Sequence, residues 1–361
     1  MHRESDPLLD MLGIRLPIIQ APMAGVSTPA MAAAVTQAGG VGSLGVGATD
    51  ADGARRMIAD VRALSSGPVN INVFCHAPAI ADAAVEAAWI ERFRPQFAAL
   101  DFQPPAALTE IYQSFVEDEA MYAMLLEERP AVVSFHFGLP RQDWIDTLKA
   151  RGIVLLASAT NLDEARAVDA AGIHAVIAQG WEAGGHRGTF DLQARDDQIG
   201  TLALTRLLVR ELHVPVIAAG GIMDGAGVAA TLKLGAAAAL LGTAFIACDE
   251  SQADAGYRAA LAGDAAHHTV MTRAISGRPA RCLPNRFTAA GANIPDAEVP
   301  SYPRAYDLGK ALHAAGKAKG EFGFGAQWAG QGAPLSRSMS ARQLVETLAA
   351  ELNEADRRER A

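Results

Sequence analysis

Residues 179–190 read Q-G-W-E-A-G-G-H-R-G-T-F, a histidine and an arginine among four glycines, directly after the apolar run Ala175 to Ala178. An imidazole on so bare a backbone can donate a hydrogen bond or exchange a proton with a planar ligand that the missing side chains allow to come close. His186 is therefore the candidate for acid–base or charge-stabilising chemistry. Two further stretches, A-A-G-G-I at 218–222 and L-L-G-T-A-F at 240–245, end apolar runs in glycine. Backbone N–H groups there can reach a phosphate, a following helix N-terminus adds favourable partial charge, and Thr243 adds a hydroxyl. Met23, Asn72, His136, Ser158 and Gln179 close other apolar runs. His174 and His213 precede theirs and are expected at the opposite face in structural roles, while His267 and His268 read as a solvated pair. G-V-G-S-L-G at 40–45 matches a dinucleotide fingerprint in letters only: it follows a helical segment rather than a strand, and Asp60 falls inside a helix where a ribose-binding acid is not expected.

Bringing these groups to one place requires strands that end side by side. Eight apolar runs qualify: 18–23, 41–44, 69–74, 132–137, 154–158, 175–179, 214–219 and 238–242. Segments with helical spacing lie between them, at 28–38, 50–64, 142–151, 162–171, 201–212 and 225–234. Near-continuous apolar strands alternating with helices argue a parallel sheet covered on both faces, and eight units point to a closed (β/α)8 TIM barrel in the α/β class. An open doubly wound sheet is the alternative. In a barrel the chemistry belongs at the C-terminal strand ends, where the candidate residues fall. Residues 76–130 are too long for one connection and read as an insertion after the third strand. The expected organisation is a barrel from 1–75 and 131–250, a smaller lid domain from 76–130 and 251–335, and a C-terminal helix in 336–361. Ser340 and Gln343 suit a capping box for that helix, whose apolar face carries Leu344, Val345, Leu348 and Leu352.

The 361 residues are half hydrophobic and carry a formal net charge of -9. No dense basic block offers a footprint for nucleic acid, and no apolar run is long enough for a membrane helix, so a soluble, cytoplasmic protein is expected. Cys75, Cys248 and Cys282 lie far apart and suggest neither disulfides nor a metal site.

Taken together, Q-A-P-M-A-G, N-I-N-V-F, S-F-H-F-G, G-W-E-A-G-G-H-R-G, A-A-G-G-I, L-G-T-A-F, Y-P-R-A-Y-D-L-G-K and W-A-G-Q-G resemble class I nitronate monooxygenases, long called 2-nitropropane dioxygenases, from about residue 20 to 335. The resemblance implies a barrel with bound FMN and no metal, oxidising alkyl nitronates such as propionate 3-nitronate with O2 to an aldehyde or ketone plus nitrite through a flavin semiquinone. It implies that Met23, Asn72, Gln179 and Gly184 line the flavin ring, with Asn72 preferred over Asn70, and that Gly221, Leu240, Leu241, Gly242 and Thr243 hold the phosphate. His186 would be the catalytic group. His136, Tyr302, Tyr306 and Lys310 would bind substrate, the last three sharing one helical face at i, i+4 and i+8. Its rival is an NAD(P)H-dependent flavin reductase on the same barrel. The expected partners are a small nitronate and O2, and the expected assembly, if any, is a homodimer.

Overall fold

Apolar side chains alternate between two destinations along each strand. Val132, Leu156, Ile177 and Ile217 point inward and pack with Leu8 and Leu12 of the short helix Pro7–Leu12, which fills the N-terminal end of the barrel. Val133, Phe135, Leu155 and Val176 point outward against helices. Burial on both faces is why the runs are continuous rather than alternating. The computed structural model describes residues 7–358. Its barrel strands are β1 (Ile18–Gln20), β2 (Gly42–Gly45), β3 (Val69–Phe74), β4 (Val132–His136), β5 (Val154–Ala159), β6 (Ala175–Gln179), β7 (Val216–Ala219) and β8 (Ala238–Leu241). They pair in parallel in the order β1-β8-β7-β6-β5-β4-β3-β2, and a parallel bridge from Ile19 to Val41 closes the ring.

Eight helices cover it: α1 (Pro29–Ala38), α2 (Ala51–Leu64), α3 (Glu119–Glu128), α4 (Gln142–Ala150), α5 (Leu162–Ala170), α6 (Thr201–Glu211), α7 (Gly225–Lys233) and α8 (Ala341–Arg358). Thr28, Asp50, Asn161 and Asp224 start four of them by accepting a hydrogen bond from an amide of the first turn. Each such cap contributes about 1 kcal/mol.

Two ring positions differ from the simple repeat. The segment 76–130 is not all extra, because α3 packs between α2 and α4 as the crossover helix from β3 to β4. Sequence spacing cannot say which of two helical segments covers the strands. The C-terminal helix is likewise part of the ring: Leu344, Val345, Leu348 and Leu352 of α8 pack with Val228 of α7 and Met31 and Val35 of α1. The expected Ser340 and Gln343 box precedes it, each side chain meeting the other residue's amide. Glu351 of α8 accepts from the Gly225 N–H at 2.8 Å and pairs with Arg337, which donates to Met223 O at 2.9 Å. The C-terminal segment thus anchors the loop after β7.

What remains of the insertion packs on the segment after β8. Trp89, Phe93 and Phe97 of helix Ala83–Ala99 share a cluster with Phe287, Leu308 and Leu312, the last two from helix Arg304–Ala318. Arg304 pairs there with Glu86, both largely buried. Among the described residues, no helix is long and apolar enough to cross a membrane.

Candidate active site

Beyond β6 the chain turns back on itself, and Gly185–His186 forms a two-residue strand antiparallel to Ala280–Cys282. The turn needs glycine, since a Cβ at Gly184 would lie 2.4 Å from the Gly330 amide nitrogen. Arg187 is buried behind the loop, where its guanidinium donates to Gln179 O at 2.6 Å and grips Asp196 at 2.8 and 3.0 Å. Gln179 donates to His186 O at 3.0 Å and accepts from Gly188 N at 2.7 Å. His186 O can only accept, so His136 donates to it through Nε2 at 3.3 Å and must accept from Ser158 through Nδ1 at 2.9 Å. The arginine of the glycine-rich motif is therefore an anchor, and its histidine is what the anchored loop presents.

The His186 ring stands among Phe137, Tyr302, Tyr306 and Trp328, with centroids 5.0 to 6.1 Å away. Its Nε2 meets Ser276 Oγ at 2.8 Å. Nδ1 has no protein partner among the described residues and is not sealed from the cavity. Burial, then the nearby His136, Arg278 and His76, lower its pKa to about 3, so the imidazole is neutral. Burial likewise holds His136 and His76 at about 4. Arg278 is buried with no carboxylate in salt-bridge contact among the described residues. Its guanidinium lies 4.2 Å from the Phe137 ring centre, and burial lowers its pKa to about 10. Phe137 holds a left-handed backbone, φ 75°, a strained conformation for an aromatic residue that places its ring at the centre of this group.

A cavity of 620 Å³ opens at the C-terminal strand ends. It brings together Met23, Asn72, His136, Gln179, Gly184, His186, Gly221, Leu240, Gly242, Thr243, Tyr302, Tyr306 and Lys310. Leu241 is the exception. Its side chain points outward into the cluster beneath α7 and α8, since neighbours on a strand face opposite ways. Asn72 donates to Ser134 at 3.0 Å from the cavity wall, whereas Asn70 is fully buried against Ser43. Both His136 ring nitrogens are engaged by protein, which leaves none for a substrate. Tyr302 precedes the helix Arg304–Ala318 rather than sharing its face, and its hydroxyl is buried without a partner. Lys310 Nζ lies 4.8 Å from the Tyr112 ring centre and 5.7 Å from that of Tyr306.

An anion fits one end of this space. Among the described residues, the N–H groups of Gly221, Ile222, Gly242 and Thr243 donate to no protein acceptor. A Cβ at Gly242 would meet protein no closer than 3.4 Å, so glycine there keeps room in the cavity. The expected helix contribution is reduced: Asp224 and Glu351 already cap α7, and the helix after Gly242 is the single turn Thr243–Ile246, whose first amides are the unpaired ones. Thr243 Oγ1 accepts from Gly330 N at 2.9 Å, tying this end to the tail.

Tyr112, Ser276, Arg278 and His76 reach the site without having been singled out in the sequence, whereas Trp328 opens the quoted motif W-A-G-Q-G. They stand in the insertion, the tail or a loop with no repeat to fix their place. The motif S-F-H-F-G did mark Phe137.

Fold and cavity define a (β/α)8-barrel enzyme with its site in the position usual for that class. A sequence model of the family "Nitronate monooxygenase" matches residues 5–351, and the chain belongs to that family of oxidoreductases. It is 63% identical to a nitronate monooxygenase of Paraburkholderia phytofirmans over 96% of this chain and 95% of the relative. It is 53% identical to one of Pseudomonas aeruginosa over 96% and 99%. Among solved structures, nitroalkane oxidase from Streptomyces ansochromogenes is 41% identical with a TM-score of 0.89, over 98% of this chain and 99% of the other. FabK from Thermotoga maritima is 29% identical with a TM-score of 0.76, over 99% of both.

Proposed function

We propose that this chain is an FMN-dependent monooxygenase that converts alkyl nitronates, propionate 3-nitronate foremost, with O2 to an aldehyde or ketone plus nitrite. One observation carries the reading: a single cavity has unpaired backbone amides at one end and a neutral imidazole with a tyrosine–lysine face at the other. Its volume is in the range of cofactor sites. Gly221, Leu240, Gly242 and Thr243 would hold the FMN phosphate, with Leu241 giving only backbone, and Met23, Asn72, Gln179 and Gly184 would line the ring. When bound, FMN would supply the one-electron redox chemistry that this oxidation of a nitronate by O2 needs.

The protein's own groups do the rest. Lys310 offers a cation to a substrate carboxylate, and the rings of Tyr112, Tyr302, Tyr306 and Trp328 exclude water and orient the nitronate. His186 faces the reacting end as a neutral imidazole that can take up a proton there. Helices Ala83–Ala99 and Arg304–Ala318 serve as the lid. The purified protein should be yellow, release nitrite from propionate 3-nitronate, and be bleached by that nitronate without oxygen but hardly by NADPH over minutes. Fast bleaching by NADPH with an inert nitronate would move the assignment to the NAD(P)H-dependent reductase.

A further inference from the structure

Resting on that reading, we propose that Ser276 is a positioning residue that holds His186 in the tautomer protonated at Nε2, leaving the Nδ1 lone pair toward the cavity as a base for neutral nitroalkanes. Ser276 is fully buried in a turn whose Ser276 and Gly277 amides both donate to Arg273 O. Its hydroxyl has one proton to give and two lone pairs to fill. Three partners surround Oγ: Arg278 O at 3.3 Å, which can only accept; Arg278 N at 3.4 Å, which can only donate; and His186 Nε2 at 2.8 Å. Donation to Arg278 O leaves Oγ free to accept from both Arg278 N–H and His186 Nε2–H, and all three contacts are satisfied. Donation to Nε2 instead would deprive the Arg278 carbonyl of this donor and leave a buried lone pair empty, which is costly.

With the proton fixed at Nε2, Nδ1 is an acceptor that has no protein partner among the described residues and is not sealed from the cavity. A neutral nitroalkane whose α-carbon meets Nδ1 gives up its proton there. The C–H electron pair becomes the C=N bond of the nitronate, one N=O pair moves onto oxygen, and the imidazole becomes a cation beside the anion it has made. Neutral nitroalkanes thus join nitronates as substrates. Phe137, Tyr302 and Trp328 pack against the ring and fix its plane, so the tautomer is what Ser276 adds.

Nitrogen-15 spectra of histidine-labelled protein, with the His186 signals identified by their loss in His186→Asn, should show Nε2 protonated and Nδ1 unprotonated at neutral pH. A proton on Nδ1 in the wild type overturns the proposal whatever the activity. Ser276→Ala should mix the tautomers and lower kcat/KM for nitroethane by about 10- to 100-fold, the range for losing the partner that orients a functional imidazole. It should raise the isotope effect with α-deuterated nitroethane and spare preformed ethylnitronate. Equal losses on both substrates with an unchanged isotope effect would reduce Ser276 to a structural role. A wild type inert toward both would sink the monooxygenase reading, while the spectra would still decide the tautomer.

Discussion

His186 and its neighbours make the sharpest commitments. His186→Asn puts an amide that cannot act as a base in the imidazole's place, so turnover of neutral nitroethane should fall by roughly 10²- to 10⁴-fold while FMN stays bound. Steady-state nitrite release and the flavin spectrum check both halves. Burial keeps His76, His136 and His186 neutral far below the ordinary histidine range. The unfolded chain takes up three protons near pH 6.5, and the folded protein takes them only near pH 4 to 3. The contribution of these three groups to stability should therefore be lost as pH drops from 6.5 toward 4 and be exhausted below about 3. Urea midpoints across that window test the sign, and His76→Phe should make the slope shallower. Lys310 is exposed enough that its contribution resembles a surface pair. Lys310→Met should weaken binding of propionate 3-nitronate by up to about 1 kcal/mol and leave ethylnitronate, which has no carboxylate, unchanged.

Single elements account for how the site is held and for how much of it the sequence reveals. At the end of β8, Gly242→Val would meet little protein but would invade the cavity, so the variant should fold yet purify colourless; full flavin occupancy would place the phosphate elsewhere. The strand ends were readable because position within a βα unit dictates which face a residue reaches, as with Met23, Asn72 and Gln179. That the Leu241 side chain packs outward while its backbone stays at the strand end was not legible, because two adjacent leucines carry no mark of which one faces inward. Ring helices with an N-cap and a clean apolar stripe, such as α2 and α5, were placed nearly to the residue. Ser276 was not, because its importance comes from a turn brought beneath His186 by pairing between Ala280–Cys282 and Gly185–His186, a contact between distant segments that no local pattern encodes.

At the scale of the molecule, the barrel depends on a helix far along the chain from the strand it follows. Leu348 lies fully buried between α8 and its ring neighbours, and Leu348→Ala should cost about 2–5 kcal/mol, read as a lower denaturant midpoint with unchanged nitronate specificity. A loss below 1 kcal/mol would show that α8 is a loose cover rather than a ring member.

Residues 242–340 intervene between β8 and α8, and that order gives the protein a period of vulnerability during its synthesis. At about 5–20 residues per second, the ribosome needs roughly 5–20 s to travel from the last strand to the closing helix. Throughout that interval the apolar flanks of α1 and α7 lack the helix that covers them in the finished ring, and exchange of α8 between two chains is the misassembly this order would favour. The loop after β7 waits too, because Arg337 and Glu351 arrive with the closing segment. A ligand gripped by that loop would thus meet its finished seat only once the ring is sealed.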